Sequence, residues 1–322
     1  MGNLASSAGI RRGRTSPPIY AAAVPPRLHG VRRARYAALS REIKKHVTIP
    51  VATVGRINEI WIAEELIEDG AADICMMGRA NLCDAEFCNK AAAGRADEVR
   101  PCIGCLRCLN GIMFGKPISC TVNPDVEHDE AGFEPAAEKK DVLVVGAGPT
   151  GMEAAYIAAR RGHHVVLVDK QDEPGGQLRI ASVPPAKQEL TRVIKYQFSR
   201  LAEAGVDVRM GVKLTAEDIQ RDFAGYEVVL AYGAEPIVPG FMTGFKQVMT
   251  ADDLLAGRAF PGKKIVIEGA DTLVLALGYR PNTALADALT GAGFACHVLG
   301  DSKQCGNLRD AIEAGYKAAC EL

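Results

Sequence analysis

The stretch from residue 142 to residue 169 admits few folds. Val142-Leu143-Val144-Val145 reads as a short buried strand, and Gly146, Gly148 and Gly151 follow it as G-x-G-x-x-G. Met152 to Arg161 reads as a helix and Val165-Val166-Leu167-Val168 as a second buried strand, with Asp169 standing 18 residues after Gly151. Strand, glycine turn, helix and strand in this order form a βαβ unit. Glycines at the turn let a pyrophosphate reach the helix N-terminus, where free N–H groups and the helix dipole favour an anion. Asp169 can accept hydrogen bonds from an adenosine ribose, and its charge disfavours a 2′-phosphate. Three glycines alone are a weak signal. With both strands and the acid in place they mark a dinucleotide site.

A second pattern lies upstream. Cys102, Cys105, Cys108 and Cys120 are spaced C-x2-C-x2-C-x11-C. Three thiolates two residues apart on a tight turn, closed by a fourth from further on, suit a 4Fe–4S cluster. Gly104 lets the turn tighten, and Gly111 and Gly115 ease the return. A structural zinc and chance core cysteines are the alternatives, although zinc sites more often pair two separated C-x2-C units. Cys75, Cys83 and Cys88 lack ligand spacing among themselves and read as core or partly exposed thiols.

The 322 residues suggest two domains, with 48% apolar and 24% charged residues as in ordinary globular chains. A net charge of −1 argues against nucleic acid as the main partner. No apolar run is long enough to span a bilayer. Ten cysteines without a signal peptide point to a reducing, cytoplasmic setting.

The run from Pro101 through Cys120-Thr121-Val122-Asn123-Pro124, leading into Asp141 to Gly151, resembles the multi-domain NADH:flavin oxidoreductases. These include 2,4-dienoyl-CoA reductase, 2-enoate reductase and trimethylamine dehydrogenase. They join an FMN-binding (β/α)8 barrel, a 4Fe–4S cluster and a C-terminal FAD/NAD(P)-type region. The resemblance extends over nearly the whole chain. Glu173-Pro174-Gly175-Gly176-Gln177-Leu178 is similar to the family loop that approaches FAD, and Leu275 to Pro281 to its LALGxRP motif. Gly300-Asp301 matches a motif whose Asp bonds the flavin's ribityl or pyrophosphate end. The resemblance therefore implies FAD at Gly146, Gly148, Gly151, Asp169, Gly176, Gln177 and Asp301.

Upstream of the cysteines the βα period repeats. Residues 34–46 read as an amphipathic helix with Ala37, Leu39 and Ile43 towards one side, and Pro50 to Val54 as a strand. Asn58 is placed to cap a helix whose stripe is Ile60, Ala63, Leu66 and Ile67, ending at Gly70. Ala72 to Met77 is the next strand. Gly55-Arg56 and Gly78-Arg79 stand at the two strand ends, where a Gly backbone and an Arg fork suit a phosphate. Helix-capping glycines with solvated arginines would look the same. The resemblance implies the FMN phosphate at these four residues.

Residues 1–41 hold eight arginines and no Asp or Glu. A transit peptide, a myristoylation signal and an active-site loop of the barrel all fit. Ser6-Ser7-Ala8-Gly9 with Pro17-Pro18-Ile19-Tyr20 favours the loop, with the chain entering at the sixth barrel strand. The segment Gly9 to Pro18 has neither His nor Tyr, so no proton donor is assigned.

The expected architecture is α/β. It comprises the C-terminal part of a TIM barrel (1–100), a 4Fe–4S segment (101–123), a polar linker (124–140) and a Rossmann-like FAD domain (141–322). Two departures from the family pattern stand out. Only about three barrel strands have room before the cysteines, since a whole barrel needs roughly 250 residues. Also, Lys263 to Ala270 runs straight into Asp271-Thr272-Leu273, where the family inserts its NAD(P)H-binding region. The implied chemistry is reduction of an activated C=C bond, in a 2-enoate or 2,4-dienoyl thioester, by NAD(P)H through FAD, cluster and FMN. Amine dehydrogenation is the alternative, as is an electron-transfer subunit or remnant. A partner chain or a homo-oligomer would complete the barrel.

Overall fold

A computed structural model describes residues 19–20, 33–128, 134–240, 247–258 and 272–322. The chain divides into two compact units, Met1–Glu127 and His128–Leu322. This boundary keeps the cysteine segment with the residues that precede it. Ser6 to Pro18 and the junction at 263–271 lie outside the described residues.

In the first unit β1 (Ile19–Tyr20), β2 (Val51–Thr53) and β3 (Ile74–Cys75) pair in parallel in the order β1-β2-β3. α1 (Ala37–Lys44) precedes β2, and α2 (Ile60–Glu68) crosses from β2 to β3. Then come α3 (Gly78–Cys83), α4 (Phe87–Ala92), α5 (Arg107–Met113) and α6 (Asp125–His128), the last ending at the unit boundary. Two helical stripes differ from expectation. Leu39 is exposed on α1 while Ser40 is buried, bonding Ala37 O at 2.9 Å. On α2 the buried face is Ile62, Ala63 and Leu66, with Ile67 exposed. The rotation follows from what the helix packs on, Ile57 and Ala71 among them. Asn58 does not cap α2: Glu59 holds that position, without a side-chain bond. Gly70 ends the helix in the left-handed region, φ 64°.

The second unit is built on a five-stranded parallel sheet. Its strands are β4 (Asp141–Val145), β5 (His164–Val168), β6 (Asp207–Arg209), β7 (Glu227–Leu230) and β12 (Cys296–Val298), in the order β12-β7-β4-β5-β6. α7 (Pro149–Arg160) joins β4 to β5. α8 (Gln177–Ala181) and α9 (Leu190–Glu203) lie between β5 and β6, and α10 (Ala216–Asp222) between β6 and β7. A smaller layer follows. β8 (Ala234–Pro236) pairs antiparallel with β11 (Tyr279–Pro281), and β9 (Gln247–Thr250) parallel with β10 (Thr272–Leu275). α11 (Ala251–Leu255) follows β9, α12 (Ala284–Gly291) precedes β12, and α13 (Leu308–Glu321) closes the unit.

The strand order reverses direction between β4 and β7. In open parallel sheets this switch point is where ligands bind. The runs Val142–Val144 and Val165–Val168 are almost wholly buried because helices cover both faces. Ile219, Phe223, Val228 and Leu289 fill the core on one side. On the other, α13 lies along α7 at a crossing so close that a Cβ on Gly315 would come within 2.3 Å of Thr150 O.

Candidate cofactor sites

The cysteine segment is shaped by its backbone. Gly104 (φ 66°) and Leu106 (φ 63°) both take left-handed conformations, which fold residues 102–106 back before α5 starts. Cys108 then falls in the first turn of α5, and Arg107 Nε bonds Ser119 Oγ at 3.0 Å, drawing the return strand alongside. Cys102, Cys105, Cys108 and Cys120 line one small cavity with Arg79, Cys83 and Thr121. Their sulfurs receive donors. The backbone N–H of Gly104 points to Cys102, that of Leu109 to Cys108, and those of Val122 and Asn123 to Cys120. Cys105 differs, its S–H donating to Thr121 Oγ1 at 3.2 Å. N–H groups aimed at sulfur stabilise thiolates, which is what a cluster ligand must be. Burial pushes the Cys102 thiol up to about 11. None of the ten cysteines is in a disulfide. Among the described residues no group of three or more His, Cys, Asp or Glu is gathered as a single metal ion would need.

Residues far away in sequence hold this cavity. Asn58 Nδ2 donates to Cys102 O at 2.7 Å, which is what it does in place of capping α2. Asp84 Oδ2 accepts from the Arg100 N–H at 2.8 Å and from Lys90 Nζ at 2.7 Å. Arg100 in turn bonds Asn123 and Asp125. Cys83 is more than the ordinary core thiol that its spacing suggests. It is fully buried, and it also stands on the cavity wall, bonded to Cys120. No spacing in the sequence signals this.

The two Gly-Arg turns lie close to the cysteines. Gly55 (φ 118°) and Arg56 (φ 58°) are both left-handed, and the Arg56 guanidinium lies so near Gly104 that a Cβ there would sit 3.2 Å from Nε. Arg79 borders the cysteine cavity, and its charge favours the thiolates of Cys102 and Cys108. For an FMN phosphate the fit is partial. Beside Gly78 a Cβ would meet no atom within 4 Å, whereas beside Gly55 it would run into Tyr36.

In the second unit the three glycines of the turn do different work. A Cβ on Gly146 would come to 2.3 Å from Ala231 O, and one on Gly151 to 1.8 Å from Gly146 O. These two permit close packing. Gly148, the N-cap of α7, has nothing within 4 Å and leaves an open cradle at the helix N-terminus. Pro149 takes the first helical position, where a missing N–H costs nothing. Asp169 accepts from the Ala147 N–H at 2.6 Å and the Gln171 N–H at 2.8 Å, so it orients the glycine turn. Gly176 (φ 51°) brings its loop to within contact of Gly148 Cα. Gln177 Nε2 donates to Ala234 O at 3.3 Å. Asp301 Oδ1 accepts from the Gly306 N–H at 2.9 Å, and Ser302 Oγ from the Gly233 N–H at 2.8 Å. The structure thus gathers the glycine turn, Asp169, Gly176 and Gln177 beyond the ends of β4, β5 and β7. The residues fit an FAD pyrophosphate at Gly148.

A parallel sheet in this order, with an open glycine cradle at its switch point, defines a dinucleotide-binding α/β fold. The chain belongs to the pyridine nucleotide-disulphide oxidoreductase family, whose sequence model matches residues 115–304. It is 43% identical over 227 residues to an NADH oxidase of Thermoanaerobacter brockii, covering 68% of this chain and 35% of the relative. It is 34% identical over 240 residues to a cinnamate reductase of Clostridium sporogenes, covering 74% and 36%. Among solved structures, a 2-naphthoyl-CoA reductase in complex with 2-naphthoyl-CoA superposes with a TM-score of 0.83 at 25% identity, over 90% of this chain and 57% of that one. The chain thus spans little more than a third of the length of the curated relatives it matches. Among the described residues no helix is long and apolar enough to cross a membrane.

Proposed function

We propose that this chain carries a 4Fe–4S cluster on Cys102, Cys105, Cys108 and Cys120 and FAD on the glycine turn at Gly146–Gly151. In this reading it works as part of a flavin-dependent reductase of activated C=C bonds. The observation that carries the reading is the shared cavity of the four cysteines, with backbone N–H groups directed at the sulfurs of three of them. When bound, the two groups supply single-electron and hydride transfer. The chain does the rest. Gly148 admits the pyrophosphate, the N-terminus of α7 balances its charge, and Asp169 holds the turn and meets the ribose. The N–H donors and Arg79 stabilise the thiolates in a small, largely apolar cavity.

An FMN phosphate at Gly55, Arg56, Gly78 and Arg79 is part of the same proposal, supported by the open space beside Gly78. NAD(P)H is the proposed reductant, and a partner chain or second copy the proposed source of the remaining barrel. The names of two relatives, a cinnamate reductase and a 2-naphthoyl-CoA reductase, favour an enoate or unsaturated acyl thioester as substrate. The test is anaerobic purification with flavin, iron and labile sulfide quantified per chain. Zinc without sulfide, or a chain that takes up no FAD, would overturn the reading.

A further inference from the structure

We infer that Cys83 is a hydrogen-bond donor to the sulfur of Cys120 and thereby raises the reduction potential of the cluster proposed above. The inference rests on that cluster reading and goes beyond it, because Cys83 is not one of the four spaced cysteines.

The geometry separates Cys83 from a passive core residue. It ends α3, is fully buried and lies on the wall of the cavity that the four cysteines line. Both of its neighbours are tied to the ends of the cysteine segment. Leu82 O accepts from Asn123 Nδ2 at 3.3 Å, and Asp84 Oδ2 accepts from the Arg100 N–H at 2.8 Å. The Cys83 backbone is therefore pinned on both sides, to Asn123 just beyond Cys120 and to Arg100 just before Cys102. The Cys83 thiol lies within hydrogen-bonding reach of Cys120 Sγ, across the cavity that both line. Cys120 already accepts from two backbone N–H groups, so the Cys83 S–H is a third donor on one ligand.

The physical consequence follows from charge. Reduction adds one electron to the cluster and no atom. Part of the added charge spreads onto the thiolate sulfurs, and a donor aimed at one of them stabilises the reduced form more than the oxidised. No bond forms or breaks, and the proton stays on Cys83. Since α3 begins at Gly78-Arg79, one short helix carries the candidate flavin-phosphate turn at its start and this donor at its end.

The experiment uses the full chain, loaded anaerobically, and titrates the cluster with dithionite and mediators. Cys83→Ala is expected to keep its iron and sulfide and to lower the one-electron reduction equilibrium about tenfold, which is about 59 mV for a one-electron couple. Cys83→Ser, which keeps an O–H donor, should restore most of that shift. A Cys83→Ala potential equal to wild type overturns the inference while leaving the cluster reading standing. Loss of iron and sulfide from both variants also overturns it, by making Cys83 a ligand. A wild-type chain without labile sulfide overturns the cluster reading itself.

Discussion

The strands β4 and β3 show how differently the two units are held. On β4, Val142, Leu143 and Val144 are 0% exposed, covered on both faces by helices of their own unit. On β3, Ile74 is 44% exposed, and nearby Trp61 on α2 is 54% exposed. The second unit rests on a doubly covered apolar sheet. In the first, much of what joins distant residues is polar and converges on the cysteine segment: Asn58 to Cys102 O, Asp84 to Arg100, Asn123 to Leu82 O. A unit organised in this way should depend on what its cysteines hold, and the other should not.

The largest effect expected is complete. Cys105→Ser should abolish the broad visible absorbance of a thiolate-ligated cluster and lower the stability of the first unit, while FAD content per chain stays unchanged. A loss of FAD in the same variant would mean that the two units do not stand apart.

Within the second unit, two glycines three residues apart should fail differently. Gly151→Val drives a side chain into Gly146 O and should cost more than about 4 kcal/mol, so that the unit no longer folds. Gly148→Val meets open space, so the far-UV signal and melting temperature should hold. FAD affinity should nevertheless fall at least about a hundredfold, about 3 kcal/mol. Normal flavin content in Gly148→Val would remove the pyrophosphate from that cradle.

The buried Glu153–Arg200 pair joins α7 to α9, with the guanidinium stacked over Tyr156 at 4.0 Å and Tyr196 at 4.9 Å. Arg200→Met leaves a carboxylate buried without its ion and should cost about 3–5 kcal/mol. Denaturant unfolding should show that loss in the second unit's transition only.

A pH effect should also divide the units. Burial, then the charges of Arg161 and Lys140, holds the His163 imidazole below its usual value, and its Nδ1 accepts from the Lys140 N–H at 3.1 Å. Below about pH 6.5 the unfolded chain takes a proton that the folded one refuses. Stability is therefore constant above that value and falls beneath it, by up to about 1.4 kcal/mol per pH unit. His163→Asn should flatten this slope in the second unit and leave the first unit's acid response unchanged. The smallest effect is expected at Trp61→Ala, within about 0.5 kcal/mol in the isolated chain, because the ring is mostly in water. A markedly larger loss would show that this face is covered after all.

What is legible in the sequence is what is decided locally. The βαβ motif is decided by strand hydrophobicity, glycine chemistry and one acid within about thirty residues, and β4, α7 and β5 fall where those signals put them. The shared cavity of four cysteines is likewise implied by spacing. What is not legible depends on distant partners. Asn58 has the chemistry of a cap, but it is drawn to a carbonyl 44 residues on. Leu39 and Ile67 fit an apolar stripe in sequence, but the surface under each helix selects a different face. Cys83 has no ligand spacing, and only the fold brings it to Cys120.

The crossing of α13 over α7 has a consequence for the newborn chain. Gly315 must lie against Thr150, at the very turn that forms the cradle. On a ribosome, α7 emerges well before its cover. The residues of α13 follow about 160 positions later, roughly ten to thirty seconds at ordinary rates of synthesis. β12 comes late as well and pairs with β7, far back in the chain. Until then the glycine turn has neither its backing helix nor the edge of its sheet. The cradle is therefore complete only once α13 has been made, and a ribosome stalled before α13 would leave an apolar helix face open to chaperones.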